Sequence, residues 1–191
     1  MFIQTETTPN PATLKFLPGQ VVLEDGSADF RHADEAEDSP LALRLFEIPG
    51  VTGVFFGHDF ISITKDEQET DGFDWQHLRP AILGAIMEHF VTGQPVMSRT
   101  DGDLAGEGEE FYEAGDEKIV STIKELLDTR VRPAVAQDGG DITFRGFKEG
   151  VVYLHMRGAC AGCPSSTATL KYGIQNLLKH FIPEVQEVSA V

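Results

Sequence analysis

Cys160 and Cys163 are the two cysteines of the chain, spaced as Cys-Ala-Gly-Cys within Gly158-Ala159-Cys160-Ala161-Gly162-Cys163-Pro164-Ser165-Ser166. A zinc ion or a 4Fe-4S cluster held by cysteines takes four soft ligands, so one chain carries half a site. Either the pair does dithiol chemistry alone, or two chains meet and complete the site between them. Four readings are open to it: a buried structural pair, a thioredoxin-like redox dithiol, a zinc site and a shared iron-sulfur site. A loop flanked by glycine and proline at a helix entrance is a poor place to bury two thiols. The thioredoxin arrangement needs further strands and helices after its active site, and little chain remains before Val191. Four cysteines from a symmetric pair of chains would bind a 4Fe-4S cluster on the two-fold axis. Such a cluster is exposed and labile, which suits a carrier or scaffold better than an electron-transfer protein.

The residues around the pair favour anionic sulfur. The cysteines lie between a strand and a helix, and the unpaired N–H groups of a helix N-terminus stabilise thiolates and lower their pKa. Gly158 and Gly162 lack a Cβ and let backbone come close to the sulfurs. Ser165 or Ser166 is a candidate helix cap. His155 precedes Cys160 by five residues, but strand alternation sets it opposite Val152, Leu154 and Met156, as a hairpin residue. Asp138 and Asp141 flank Gly139-Gly140 and read as turn residues, as do His58 and Asp59. Trp75, at a helix start, reads as core. The sequence carries no GxxxxGK[ST] phosphate loop and no nucleophile elbow.

The elements that must position these residues fall into two α+β halves. In the first, Leu14, Phe16 and Val21-Val22-Leu23 about Pro18-Gly19 predict a hairpin. Ser39-Pro40 starts a helix. Gly50–Phe56 and Phe60–Thr64 predict two antiparallel strands, and Leu78, Ile82, Ile86 and Phe90 an amphipathic helix from Trp75 to Val91. In the second half, Ile119, Ile123, Leu126 and Leu127 share a helical face. The segment beyond Arg132-Pro133 ends at Asp138-Gly139-Gly140-Asp141. Ile142, Phe144 and Phe147 lead through Lys148-Glu149-Gly150 into Val152, Leu154 and Met156, a hairpin. A last helix carries Leu170, Ile174, Leu177, Leu178 and Phe181 and ends at Pro183, after which Glu184 to Val188 predicts a short edge strand. Residues 94–115, rich in Gly and acids, are too poor in apolar side chains to order themselves and predict a flexible acidic linker. A short helix is expected late in it, near Phe111 and Tyr112. The domains expected are thus 1–93 and 116–191.

Acids outnumber bases 31 to 15, for a formal net charge of -16. That balance argues against a nucleic-acid backbone as partner. Met1-Phe2-Ile3-Gln4-Thr5-Glu6 has neither a basic n-region nor an apolar h-region, and no run approaches a membrane span. A cytoplasmic protein is expected, or one of an organellar matrix if the chain is a matured form. Two cysteines close in sequence suit a reducing compartment.

With Arg132-Pro133, Asp138-Gly139-Gly140-Asp141 and the Cys160–Cys163 stretch in that order, the chain from about Glu117 to Val188 resembles the C-terminal NifU domain of Nfu-type iron-sulfur carriers. Thr8-Pro9-Asn10-Pro11-Ala12-Thr13-Leu14-Lys15-Phe16 and the rest of the first ~90 residues resemble the Nfu N-terminal domain. The resemblance implies a non-enzymatic protein whose Cys160 and Cys163 hold a 4Fe-4S cluster bridging two chains, a homodimer on cluster binding. It further implies an iron-sulfur assembly scaffold as donor and apo iron-sulfur proteins as acceptors. The alternative is a dithiol-disulfide oxidoreductase using the same pair.

Overall fold

Leu14 and Phe16, Val54 and Phe56, and Ile61 and Ile63 are spaced two apart, the period at which strand side chains return to one face. In the computed structural model of the chain, which describes residues 1–68, 74–98, 109–161 and 164–191, they meet in two rows across a sheet. Leu14 faces Ile63, which faces Val54; Phe16 faces Ile61, which faces Phe56. All six are buried. The chain divides into two compact units, Met1–Leu104 and Ala105–Val191.

The first unit is an antiparallel sheet in the order β1-β2-β5-β4-β3, built from β1 (Gln4–Thr7), β2 (Thr13–Leu17), β3 (Ala28–Phe30), β4 (Val51–Phe56) and β5 (Ile61–Lys65). Helices α1 (Pro40–Phe46) and α2 (Trp75–Thr92) add Leu41, Leu45, Leu78, Ile82 and Ile86 to the same core. The expected start of α1 is borne out: the Ser39 hydroxyl accepts from Ala42 N at 3.1 Å and donates to Val96 O at 2.7 Å. The expected hairpin through Val21–Leu23 does not form. Val22 and Leu23 donate their N–H groups to His58 O at 2.7 and 3.2 Å in a loop, and β2 pairs instead with Gln4–Thr7. That strand is mostly exposed and polar, so apolar alternation could not reveal it. Trp75 packs partly buried against the core, as expected, with its indole N–H on Pro11 O at 3.2 Å.

The second unit opens with α3 (Glu117–Leu126), a π-helical turn (Leu127–Val131) and α4 (Arg132–Gln137). Pro133 has no N–H and its ring would crowd the carbonyl four residues back, so the helix widens just before it: Arg132 N bonds Leu127 O, five residues away. Then come β6 (Gly140–Lys148), β7 (Val151–Gly158), α5 (Pro164–Phe181) and β8 (Glu187–Ala190). β6 and β7 form the expected antiparallel hairpin, turning through Glu149 and Gly150 with φ of 51° and 80°, the positive pair a tight two-residue hairpin requires. β8 lies parallel to β7, which needs a crossover, and α5 supplies it. Ile123, Leu127, Ile142, Leu154, Leu178 and Val188 lie at the centre of this second core.

Of the expected linker, residues 99–108 lie outside the described residues. Its two described ends are tied down. Met97 is in the first core and Ser98 N bonds Asp38 O at 2.7 Å. Phe111 forms no helix. Its N–H bonds Arg145 O at 3.2 Å and its carbonyl takes Phe147 N at 2.9 Å, closing on the β6 bulge where Gly146 leaves room for its ring. No helix among the described residues is long and apolar enough to cross a membrane.

His89 is fully buried in α2, and neither ring nitrogen makes a hydrogen bond. Its pKa is lowered, by burial first and by the Arg44 charge from α1 second, against the weaker pull of the Gln94 and Pro95 carbonyls. Arg44 is itself paired with Glu88 at 3.0 Å. The folded unit therefore keeps His89 neutral while the unfolded chain takes up a proton as pH falls through 6.5. Stability from this residue is present above that pH and is lost as pH falls toward the lowered folded value. Urea unfolding followed by Trp75, the single tryptophan, reports the first unit. Its midpoint should fall between pH 7 and pH 5.5 in the wild-type chain, and fall less in His89→Leu.

Candidate functional site

The cysteine loop leaves β7 at Gly158, whose φ of 66° is a left-handed turn that favours glycine. Ala159 N then bonds Gly139 O at 3.2 Å, and Ala161 N bonds Gly158 O at 3.0 Å. These bonds lay the loop across the turn that starts β6. From the other side, the Thr167 hydroxyl in the first turn of α5 donates to Cys160 O at 3.0 Å. The loop is thus fastened both to the sheet and to the helix that follows it.

Cys160 points inward. It is 6% exposed and packs in the second core. A close backbone approach to the sulfur occurs at Gly140, which sequence reasoning did not single out for it: a Cβ there would stand 2.8 Å from the Cys160 sulfur and 2.6 Å from Arg157 O. Neither distance is one a real Cβ adopts, so glycine at 140 is a steric condition for this loop path. Gly140 faces Gly158 across the hairpin, and the two glycines let the strand ends close beneath the cysteine.

The same turn carries charge. Arg132 grips Asp141 with two hydrogen bonds, Nε to Oδ1 at 2.9 Å and Nη2 to Oδ2 at 2.9 Å, while its Nη1 reaches Asp128 at 3.1 Å. Bidentate guanidinium–carboxylate pairs are among the stronger polar contacts. Asp141 Oδ1 also takes the Ile142 N–H at 2.8 Å, so the carboxylate pins the start of β6 as well. The Asp141 hydrogen bonds push the Arg132 pKa further up despite its partial burial.

The expectation of anionic sulfur is corrected at Cys160. Burial, followed by the nearby charges of Asp138 and Asp141, pushes its thiol up to about 12. Proximity to a helix start is outweighed by desolvation and two carboxylates because the sulfur is buried in the second core. In this arrangement Cys160 is a neutral thiol, and a metal that takes it as ligand must displace its proton.

Cys163 and Gly162 lie outside the described residues. α5 begins at Pro164, so Ser165 and Ser166 fall inside its first turn rather than at its cap. His155 sits across from Thr143, half-buried, on the strand face opposite Leu154 and Met156. Among the described residues no three His, Cys, Asp or Glu side chains gather as a metal site. Asp138 and Gly139 form the expected turn, but Asp141 is not a turn residue: it is the second residue of β6, paired with Arg157. Sequence reasoning missed that this strand start floors the cysteine loop and that Arg132 braces it. Only the order of the motifs hinted at this, since nothing in their spacing joins Arg132 to Cys160.

Two families match in the same order as the two units. "Scaffold protein Nfu/NifU N terminal" matches residues 3–93, and "NifU-like domain" matches residues 123–189. The human "NFU1 iron-sulfur cluster scaffold homolog, mitochondrial" is 50% identical over 192 aligned positions, covering 100% of this chain and 72% of its own length. The chain belongs to the Nfu/NifU-like family of iron-sulfur scaffolds. "NifU-like protein 4, mitochondrial" of Arabidopsis thaliana is 48% identical across 98% of this chain and 65% of its own. The solution structure of a NifU-like protein from Saccharomyces cerevisiae is similar over 52% of this chain and 87% of its own, at 30% identity and a TM-score of 0.46. The Nfu/NifU-like family is one of scaffolds rather than enzymes, and its two-domain order is the α+β order seen here.

Gly140→Ala should force the loop or the Arg157 carbonyl to move and cost about 1–3 kcal/mol, the usual range for overpacking. Native-state hydrogen exchange resolves the effect by unit. Protection at Val152 and Leu154 should fall while that at Ile82 and Ile86 stays as in the wild type.

Proposed function

We propose that two copies of this chain hold a 4Fe-4S cluster between their Cys160 and Cys163 side chains and pass it to apo-proteins. The observation that carries the reading is a count: a scaffold of the Nfu/NifU-like family has two cysteines in one loop, and a cluster takes four. The loop's setting supports it. Gly140 provides the space at the Cys160 sulfur, and the Arg132–Asp141 pair fixes the strand start that floors it.

The cluster is cargo on this reading, and transfer follows from how its ligands are divided. Ligands split between chains are released by separation, and a recipient thiolate can enter as one of the scaffold's sulfurs leaves. An acceptor offering three or four cysteines from one chain loses less association entropy and wins the exchange. Cys160 regains a proton and its buried packing when the cluster departs, so the metal-free fold is itself a stable product. The dithiol oxidoreductase alternative needs a thiolate nucleophile near neutral pH, and the buried Cys160 thiol, pushed up to about 12, is badly placed for that role. The partners are then a second copy, an assembly scaffold that donates the cluster, and apo iron-sulfur proteins that receive it. The compartment is a bacterial cytoplasm or an organellar matrix.

Anaerobic reconstitution should give a brown protein with four irons and four sulfides per two chains, and its mass should double on cluster binding. Cys160→Ser and Cys163→Ser should each abolish both changes. Mixed with apo-aconitase in the presence of a chelator, the loaded wild-type chain should restore activity faster than free iron and sulfide. Complete quenching by the chelator, or a stable cluster on one chain at high dilution, would refute the shared carrier.

A further inference from the structure

The face of α5 that starts beside the cysteine loop is exposed and carries no acid. Ala168, Thr169, Tyr172, Gly173 and Asn176 are all exposed and recur at helical spacing, so they share one side of the helix. Tyr172 is 63% exposed. The opposite side, with Ile174 and Leu178, is in the core. None of the 18 residues from Pro164 to Phe181 is Asp or Glu, in a chain with 31 acids and a net charge of -16. Lys171 is turned away toward Glu187, at 3.5 Å, and Lys179 and His180 lie in the last turn.

We propose that this α5 face is the surface through which a second copy of the chain docks to complete the cysteine site. The inference rests on the shared-cluster reading, because a site with two ligands per chain is incomplete without the other copy. Two further arguments select this face. The first is continuity: α5 begins at Pro164, next in sequence to Cys163, so its first two turns leave directly from the point where the copies must meet. Tyr172 lies about 12 Å along the helix from Pro164 at 1.5 Å per residue. A two-fold axis that passes close to both the cysteine loops and this face, the arrangement proposed, sets this stretch of one copy against the same stretch of the other. The second is charge. Two chains of the same large negative charge repel, and at about 0.1 M salt the repulsion reaches over roughly 10 Å. A surface that approaches its own copy within that distance is best built without acids, and α5 is so built. An exposed tyrosine flanked by small residues adds contact area at low entropic cost. The area need not be large, since the cluster's own bonds to both copies share the work.

The test uses the full-length chain, loaded anaerobically, with sedimentation and iron content followed across a dilution series. Tyr172→Glu and Tyr172→Lys each place like charges in the two facing helices. Each should raise the concentration at which the loaded dimer dissociates and loses iron by about tenfold or more. An equimolar mixture of the two variants pairs opposite charges and should return the dilution profile to near the wild type. Ser121→Glu, on the exposed side of α3, should leave it unchanged, and circular dichroism of the metal-free variants should match the wild type. If Tyr172→Glu and Ala168→Glu both dilute like the wild-type dimer, the α5 interface is wrong while the shared cluster stands. If the single variants weaken the dimer but the mixture does not recover, the effect is local damage to the helix and the inference is overturned. A wild-type chain that carries its cluster as a monomer removes the shared-cluster reading, and this inference falls with it.

Discussion

Position 140 cannot carry a side chain. The second unit is arranged around that restriction, because a Cβ at 140 would meet the Cys160 sulfur at 2.8 Å and the Arg157 carbonyl at 2.6 Å. With glycine there, the end of β7 closes over the start of β6, Ala159 bonds back to Gly139, and the cysteine side chain turns into the core between them. The loop then leaves toward α5, which crosses over to lay β8 parallel to β7. Sheet and loop meet at one backbone position.

The charged groups near that contact act in two directions. Arg132 and Asp141 hold each other with paired hydrogen bonds and fix the first residues of β6. Loss of solvent, followed by Asp138 and then this same carboxylate, favours the protonated thiol at Cys160. A metal-free scaffold gains from both effects. Its turn is braced by paired hydrogen bonds, and its Cys160 thiol is neutral and shielded, which lowers its reactivity toward oxidants.

Much of the fold was legible. Strand periodicity placed Val51–Phe56, Ile61–Lys65 and the β6–β7 hairpin, and Ser39-Pro40 marked the start of α1. What failed did so for identifiable reasons. Gln4–Thr7 is an edge strand with almost no buried side chain, so nothing in its residue types betrays pairing. Val21–Leu23 has the apolar residues of a strand, yet its N–H groups go to a carbonyl 35 or so residues later, a long-range choice local pattern does not contain. Phe111 has a similar history: in isolation it reads as part of an acidic linker, while in the fold its ring fills the space over Gly146.

For the site, residue types and count supplied the proposal. Two cysteines in one loop are half the number that a cysteine-held zinc or 4Fe-4S site takes, and the proposed shared site rests on that count, which needs no coordinates. The turn propensity of Asp138-Gly139-Gly140-Asp141 was equally evident, because glycine and aspartate favour turns for local backbone reasons. The protonation of Cys160 was decided only by tertiary structure. A helix start in the sequence argues for a lowered pKa, but the side chain's direction depends on Gly140, Gly158 and Arg157 meeting across a hairpin, and desolvation depends on that direction. Spacing along a chain specifies which groups are neighbours in a helix or strand; it does not specify which side of a sulfur faces water.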